Sequence, residues 1–478
     1  MKNIVILDVY ANYIKSLLKT GEYNIVLAMV ENKAIADECK NLFAGKIQNY
    51  YYRVPVTNEE FDELNKTDYN LTFEDIEKYA STQLKCEHYL HREILDYSLI
   101  QYRYYMALRY WLDFFEKNKV DMVFDGHIEH GAIWDSIPID IAIKKGIPVY
   151  SISLSSNDFD NDICTITKLN DKSFVNISNS NLRKPDIKKY IEDIKNAFKD
   201  LSLKNKKSNK MSFKELIKQV NFFKDYLKHS LRDPVKSYKK RNRSFVFWDN
   251  LSKAEQFEKS LYIERLKKVY KYVSVKPDFN KKYIYVPLHQ EPEASIMARS
   301  LLSCQIFIIK MLSEVIPKDW KIYVKEHPAE FDIYKVAPYF YRNIEYFRSG
   351  DFYYQIKKLK NVEMIDIDVN SSLLVENAQA VCSITGTSLI QAAAILKPVI
   401  TFGKSLNYIE LLKDVFKITS KNDLKRAVDM IVSGFKPQYS DVSDVVDNYV
   451  FIKKNYELIK FFDENDDYIN IFKHLAKL

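Results

Sequence analysis

Glycine is scarce: the chain has 9 in 478 residues, against a usual share near 7%. That shortage excludes collagen-like, low-complexity and glycine-linker readings. It also excludes any phosphate cradle built from several glycines in one turn, and neither GxGxxG nor GxxxxGK[ST] occurs. Cysteine is sparse as well. Cys39, Cys86, Cys164, Cys304 and Cys382 are odd in number, lie far apart and form no CxxC. A zinc ribbon or redox pair is therefore not indicated, and a reducing, cytoplasmic compartment is expected. No apolar run reaches the roughly 18 residues of a membrane span. The apolar start, Ile4-Val5-Ile6-Leu7, is too short for a signal peptide and reads as a first buried strand.

What is present is ordinary globular chemistry, 47% hydrophobic and 28% charged, with many aromatics (35 Tyr, 28 Phe). The length suits two or three domains at roughly 100–200 residues each. The net charge of +8 is uneven. Residues 199–243 hold 15 Lys/Arg and 4 Asp/Glu, a local net of +11, so the remaining 433 residues sum to −3. Phe213, Leu216, Ile217, Val220, Phe223, Leu227 and Leu231 add an apolar stripe at helical spacing there. The segment reads either as a solvated linker helix or as a contact for an anionic surface, the inner face of the cell membrane rather than nucleic acid.

Along the chain, β-rich apolar runs alternate with helical patterns. Strands are expected at Asn3–Val9, Tyr23–Met29, Lys46–Arg53, Asp121–Phe124 and Pro148–Ser153. Helical patterns fall at Lys33–Phe43, Phe73–Lys117 and Ile133–Lys145. A second block has strands at Lys282–Pro287, Lys321–Lys325, Val362–Ile367, Ala380–Ile384 and Pro398–Phe402, with helices between, then helices from Leu406 to Leu478. Such alternation predicts an α/β fold with parallel sheets covered on both faces. The expected division is 1–185, a basic helical linker 186–275, a second sheet domain 276–430, and C-terminal helices 431–478.

Open parallel sheets bind ligands beyond the C-terminal ends of their strands, which selects four loops. Lys325-Glu326-His327-Pro328 sets a cation and an imidazole, suited to phosphate oxygens, before a stiffening proline. Ser383-Ile384-Thr385-Gly386-Thr387-Ser388 turns a strand into a helix; hydroxyls there cap the helix, and its free N–H groups suit an anion. His289-Gln290-Glu291-Pro292-Glu293 leads a strand into a helix, where Pro292 and Glu293 fit the first turn. Asp125-Gly126-His127-Ile128-Glu129-His130-Gly131 offers carboxylates and imidazoles for a general base, and less readily for a metal. Each also admits a bland reading as turn or cap chemistry. Asp366-Ile367-Asp368 is a DxD too short to weigh much.

Three of these stretches, Val286–Ser295, Val324–Pro328 and Thr385–Ser388 with Lys397–Gly403, resemble the capsule polysaccharide biosynthesis family, which includes bacterial Kdo transferases. A weaker echo lies at Glu129-His130-Gly131 and Gly146-Ile147-Pro148. The resemblance implies a GT-B-like glycosyltransferase with two Rossmann-like domains facing across a cleft. It implies a nucleotide-sugar donor as substrate (a CMP-activated acidic sugar such as Kdo or a sialic-acid-like sugar), no cofactor and no metal. The acceptor would be a saccharide or lipid-linked saccharide. It places His327 and Pro328 at the nucleotide phosphate and ribose, Thr385, Gly386, Thr387 and Ser388 at the phosphate or the sugar carboxylate, and the final helices, 431–478, back on the first domain. The strand-end reading adds His289, Gln290, Glu293, Lys325, Ser371, Ser372 and Gln391 to the donor-binding set, and Glu129 or His130 as catalytic base. One departure is Gln391, where the family commonly has an acid. A nucleotide-sugar 2-epimerase and a non-catalytic polysaccharide- or membrane-binding scaffold are the alternative readings.

Overall fold

The computed structural model describes residues 1–9, 11–30, 47–52, 66–91, 96–126, 133–157, 161–177, 253–291, 296, 302–331, 343–403, 412–439, 449–453 and 466–478. Its first sheet contains β1 (Lys2–Val9), β2 (Tyr23–Val30), β3 (Ile47–Tyr52), β4 (Met122–Asp125), β5 (Val149–Asn157), β6 (Asn161–Lys168) and β7 (Ser173–Phe174). Its second contains β8 (Ser274–Val275), β9 (Tyr283–Pro287), β10 (Lys321–Lys325), β11 (Val362–Ile365), β12 (Ala380–Ser383), β13 (Val399–Thr401) and β14 (Phe416–Lys417). A last strand, β15 (Tyr449–Lys453), returns to the first sheet. The α/β class and two sheet-based domains expected from the alternating pattern are thus both present, and the sheets are Rossmann-like, as the resemblance implied.

The first sheet runs β15-β6-β5-β4-β1-β2-β3, with β7 against β6. Strands β1 to β5 pair in parallel, and β6 pairs antiparallel with β5, β7 and β15. Period-two alternation builds a core on each face. Ile4 and Ile6 join Tyr13, Leu17 and Phe124 on one face, while Val5 and Leu7 join Tyr104, Leu108 and Trp111 on the other. Trp111 is fully buried and donates its indole N–H to the Ile133 carbonyl at 3.0 Å. Truncation to Ala there would cost about 3–5 kcal/mol.

The second sheet is parallel throughout, in the order β14-β13-β12-β9-β10-β11-β8. Ile284, Val286, Ile322 and Val324 face one core, and Tyr283, Tyr285 and Tyr323 the other. Chain order reverses between β9 and β12, so the crevice beyond their C-terminal ends is the switch point at which such sheets bind ligands.

Several boundaries differ from the sequence reading. The helix Lys253–Val273, assigned to the linker, buries Ile263, Leu266, Tyr270 and Val273 in the core of the second domain, and β8 follows directly. The C-terminal region is not wholly helical, because β15 pairs with β6. The helix Asp466–Lys477 packs Tyr468, Ile471, Phe472 and Leu475 into the first domain. The stretch 73–117 is three helices, Phe73–Lys78, Ala80–Leu90 and Tyr97–Lys117. The basic segment 199–243 lies outside the described residues. The two domains touch where Asn343 Nδ2 donates to the His91 carbonyl at 2.7 Å and Tyr346 stacks on His91 with ring centroids 4.1 Å apart.

Candidate donor site at the second switch point

The strand ends that form this site are tied together before any ligand enters. Leu288 N–H donates to the Lys325 carbonyl at 2.8 Å, and Phe402 N–H to the Ser383 carbonyl at 3.1 Å, carrying both ladders past the last strand residues. His289 thereby meets the turn after β12, 94–96 residues away in sequence. Its Nε2 lies 3.0 Å from Ser383 Oγ and accepts from Thr385 N–H at 3.3 Å. A backbone N–H can only donate, so this nitrogen is the acceptor and the ring proton belongs on Nδ1.

Gly386 follows with φ +112°, a region that L side chains rarely enter. It is the N-cap of the helix Thr387–Ala394, and among the described residues no side chain caps that helix. The positive end of the helix dipole therefore faces the crevice. A Cβ on Gly386 would stand 3.5 Å from His289 Cε1, in ordinary contact, so the backbone angle rather than space demands glycine. Thr385 is buried, and its Oγ1 has no hydrogen-bond partner among the described residues. Buried hydroxyls are rarely left so, and one at a helix N-terminus is suited to a ligand oxygen. Thr387 is exposed, and Gly386, Ser388 and Gln391 are half-buried.

The neighbouring strand end behaves differently. Lys325 is 2% exposed and donates to Ser371 Oγ at 2.9 Å. It thus joins β10 to the helix Ser371–Asn377, which Asn370 caps through Ser372 N–H at 2.8 Å. His327 is exposed, as is Pro328. Its Nδ1 accepts from Ala329 N–H at 3.2 Å, so the neutral ring carries its proton on Nε2, as a donor. Gln290 is half-buried at the β9 exit. Glu293, Glu129 and His130 lie outside the described residues. Asp366 of the DxD is held in a turn, accepting from Asp368 N–H at 2.9 Å and pairing with Lys276 at 3.0 Å.

Beneath the loops lies a cluster that the sequence reading missed. The Arg348 side chain is wholly buried. It donates to Glu326 at 3.0 Å, to Glu291 at 2.9 Å and to the His289 carbonyl at 2.7 Å, and it covers the Phe352 ring at 4.1 Å. Glu326 also accepts from Tyr353 Oη at 2.7 Å and from His327 N–H at 2.8 Å. Glu330 accepts from Glu291 N–H at 3.0 Å. Burial works against the guanidinium charge, but the three carboxylates outweigh it and hold Arg348 protonated. Burial drives the Glu330 carboxyl well above the usual carboxylate range; Arg348 opposes this, and Glu326 and Glu291 add to it. Glu291 is also pushed up, by burial first. Removing one partner from such a buried cluster costs about 3–5 kcal/mol. Arg348 could not be singled out beforehand, since a lone arginine in a polar, aromatic stretch looks like any surface cation.

A sequence model of the family described as "Capsule polysaccharide biosynthesis protein" matches residues 189–439, more than half of the chain. The chain belongs to this family, as the three strand-end motifs led one to expect. No curated protein matches it. Among solved structures it is similar to KpsC of Thermosulfurimonas dismutans, a beta Kdo 2,7 transferase. That pair shares 13% identity over 77% of this chain and 90% of that one, with a TM-score of 0.32. It is also similar to the UDP-GlcNAc 2-epimerase of Methanocaldococcus jannaschii, at 12% identity over 100% of both chains and a TM-score of 0.23. A UDP-forming trehalose-phosphate synthase of Burkholderia xenovorans gives 8% identity over 100% of this chain and 98% of that one, with a TM-score of 0.31. Matches this distant do not distinguish transfer from epimerisation.

Proposed function

We propose that the chain is a glycosyltransferase of surface polysaccharide assembly, binding a nucleotide-activated sugar at the second switch point. One observation carries the reading: His289 and the Thr385–Gly386 turn meet at the β9/β12 crevice, with an unpartnered buried Thr385 hydroxyl at the helix N-terminus. The reaction breaks a sugar–phosphate bond, so the leaving phosphate gains charge. Donors already in place stabilise such charge without reorganising. Here they are the N–H groups opening the Thr387–Ala394 helix, the Thr385 hydroxyl and His327 Nε2–H. Lys325, held by Ser371, adds positive potential from below.

The donor is proposed to be a CMP-activated acidic sugar, Kdo or sialic-acid-like, whose carboxylate suits the same N–H groups. The acceptor is a capsule saccharide or lipid-linked saccharide, whose hydroxyl Glu129 or His130 would deprotonate. No bound metal is invoked. The basic segment 199–243 would hold the enzyme against the anionic inner face of the membrane. Among the described residues no helix is long and apolar enough to cross one.

A thermal-shift panel of CMP, UDP and GDP tests the reading. A nucleotide at a hundred times its dissociation constant stabilises by about 2.7 kcal/mol. Stabilisation by CMP alone supports the acidic-sugar donor, and no response to any of the three contradicts the assignment.

A further inference from the structure

We propose that Arg348 is a positioning residue of the donor site, fixing the imidazoles of His289 and His327 relative to each other by bridging the ends of β9 and β10. The inference rests on the donor-site reading above and adds to it a residue that touches no ligand. The two imidazoles stand on different loops, and one guanidinium joins both. On the β9 side it holds the His289 carbonyl and the Glu291 carboxylate. On the β10 side it holds Glu326, whose carboxylate in turn accepts the backbone N–H of His327. Phe352 beneath the guanidinium plane and Tyr353 on Glu326 fix the orientation of the fork.

No other side-chain type meets these demands. Three acceptors in different directions require a planar cation with several fixed donors. A lysine keeps the charge that balances the carboxylates but reaches them from one point. Arg348→Lys therefore separates charge balance from geometry. Arg348 also lies two residues after Tyr346 and five after Asn343, which hold His91 of the first domain, so the positioning segment is anchored outside the donor domain as well.

The test uses the full chain, labelled for histidine-selective NMR, with CMP, UDP and GDP each titrated by calorimetry. Arg348→Lys is expected to retain a cooperative melt and an unchanged signal from His474, which lies in the first domain. The His289 and His327 ring signals, assigned from His→Gln variants, are expected to shift. The dissociation constant of the nucleotide bound by the wild type is expected to rise by roughly tenfold. A merely structural arginine would lower the melting temperature and leave both ring signals and affinity alone. Unmoved ring signals, or moved signals with unchanged nucleotide affinity, overturn the proposal. If the wild type binds none of the three nucleotides, the donor reading fails and the ring signals alone decide the positioning role. If Arg348→Lys does not fold, Glu291→Gln decides, since it keeps the arginine, leaves an acceptor oxygen for Gln305 Nε2 and weakens the charged grip of Arg348 on the β9 loop. It is expected to move the His289 signal and spare that of His474, and an unmoved His289 signal overturns the proposal.

Discussion

Thr385→Val should stabilise the protein and weaken its ligand binding, two effects of opposite sign from one atom. The side chains are close in shape, so packing is largely kept. What is lost is a hydroxyl that is buried without a partner. Leaving such a group unsatisfied costs about 1–3 kcal/mol, and its removal recovers much of that. At roughly 2–4 °C per kcal/mol for a domain of this size, the ligand-free melting temperature should rise by a few degrees. A hydrogen bond to a charged phosphate or carboxylate contributes about 1.5–3 kcal/mol, so nucleotide affinity should fall roughly tenfold to a hundredfold. Scanning calorimetry reads the first effect and titration calorimetry the second. A variant that melts lower and binds nucleotide as tightly as wild type would refute the reasoning, because the hydroxyl would then serve the fold and no ligand.

Other predictions follow from the same geometry. His327→Ala should weaken nucleotide binding by roughly tenfold with little change in melting temperature, since the ring is exposed and accepts from Ala329 N–H. Gly386→Val forces a β-branched residue to φ +112° and should lower stability by about 1–3 kcal/mol, read by chemical denaturation. Glu330 has a folded pKa well above the usual value, so the folded state binds its proton more tightly than the unfolded state. That contribution is complete below the ordinary carboxylate pKa and is lost as pH rises towards the folded value. Glu330→Gln should therefore flatten the fall in stability over that range in denaturation curves taken at several pH values.

Much of the site was legible in the sequence because strand ends in parallel sheets are marked locally. A β-rich run followed by Gly386 and hydroxyls, or by Lys325 and His327, announces a strand, a turn and the residues beyond it. His289 and Thr385 could each be singled out that way, but not their contact, which depends on β9 and β12 being neighbours. Arg348 was invisible because its role lies in burial, and no local pattern separates a buried arginine from a solvated one. β15 was read within a helical tail because five residues, Tyr449–Lys453, are too few to fix a period. Its pairing with β6 depends on a partner almost 290 residues earlier. The Lys253–Val273 helix falls within the expected linker 186–275, although its apolar face belongs to the second core.

Transfer to an acceptor can be read in a single assay. The purified chain would be mixed with a CMP-activated acidic sugar, with and without a saccharide acceptor from surface polysaccharide, with chelator present, and followed by NMR. Free CMP and a new glycosidic signal are expected only when acceptor is added. Interconversion of the nucleotide sugar without acceptor would contradict transfer in favour of epimerisation. An unchanged donor in every mixture, including those with other nucleotide sugars, would contradict it in favour of a binding scaffold.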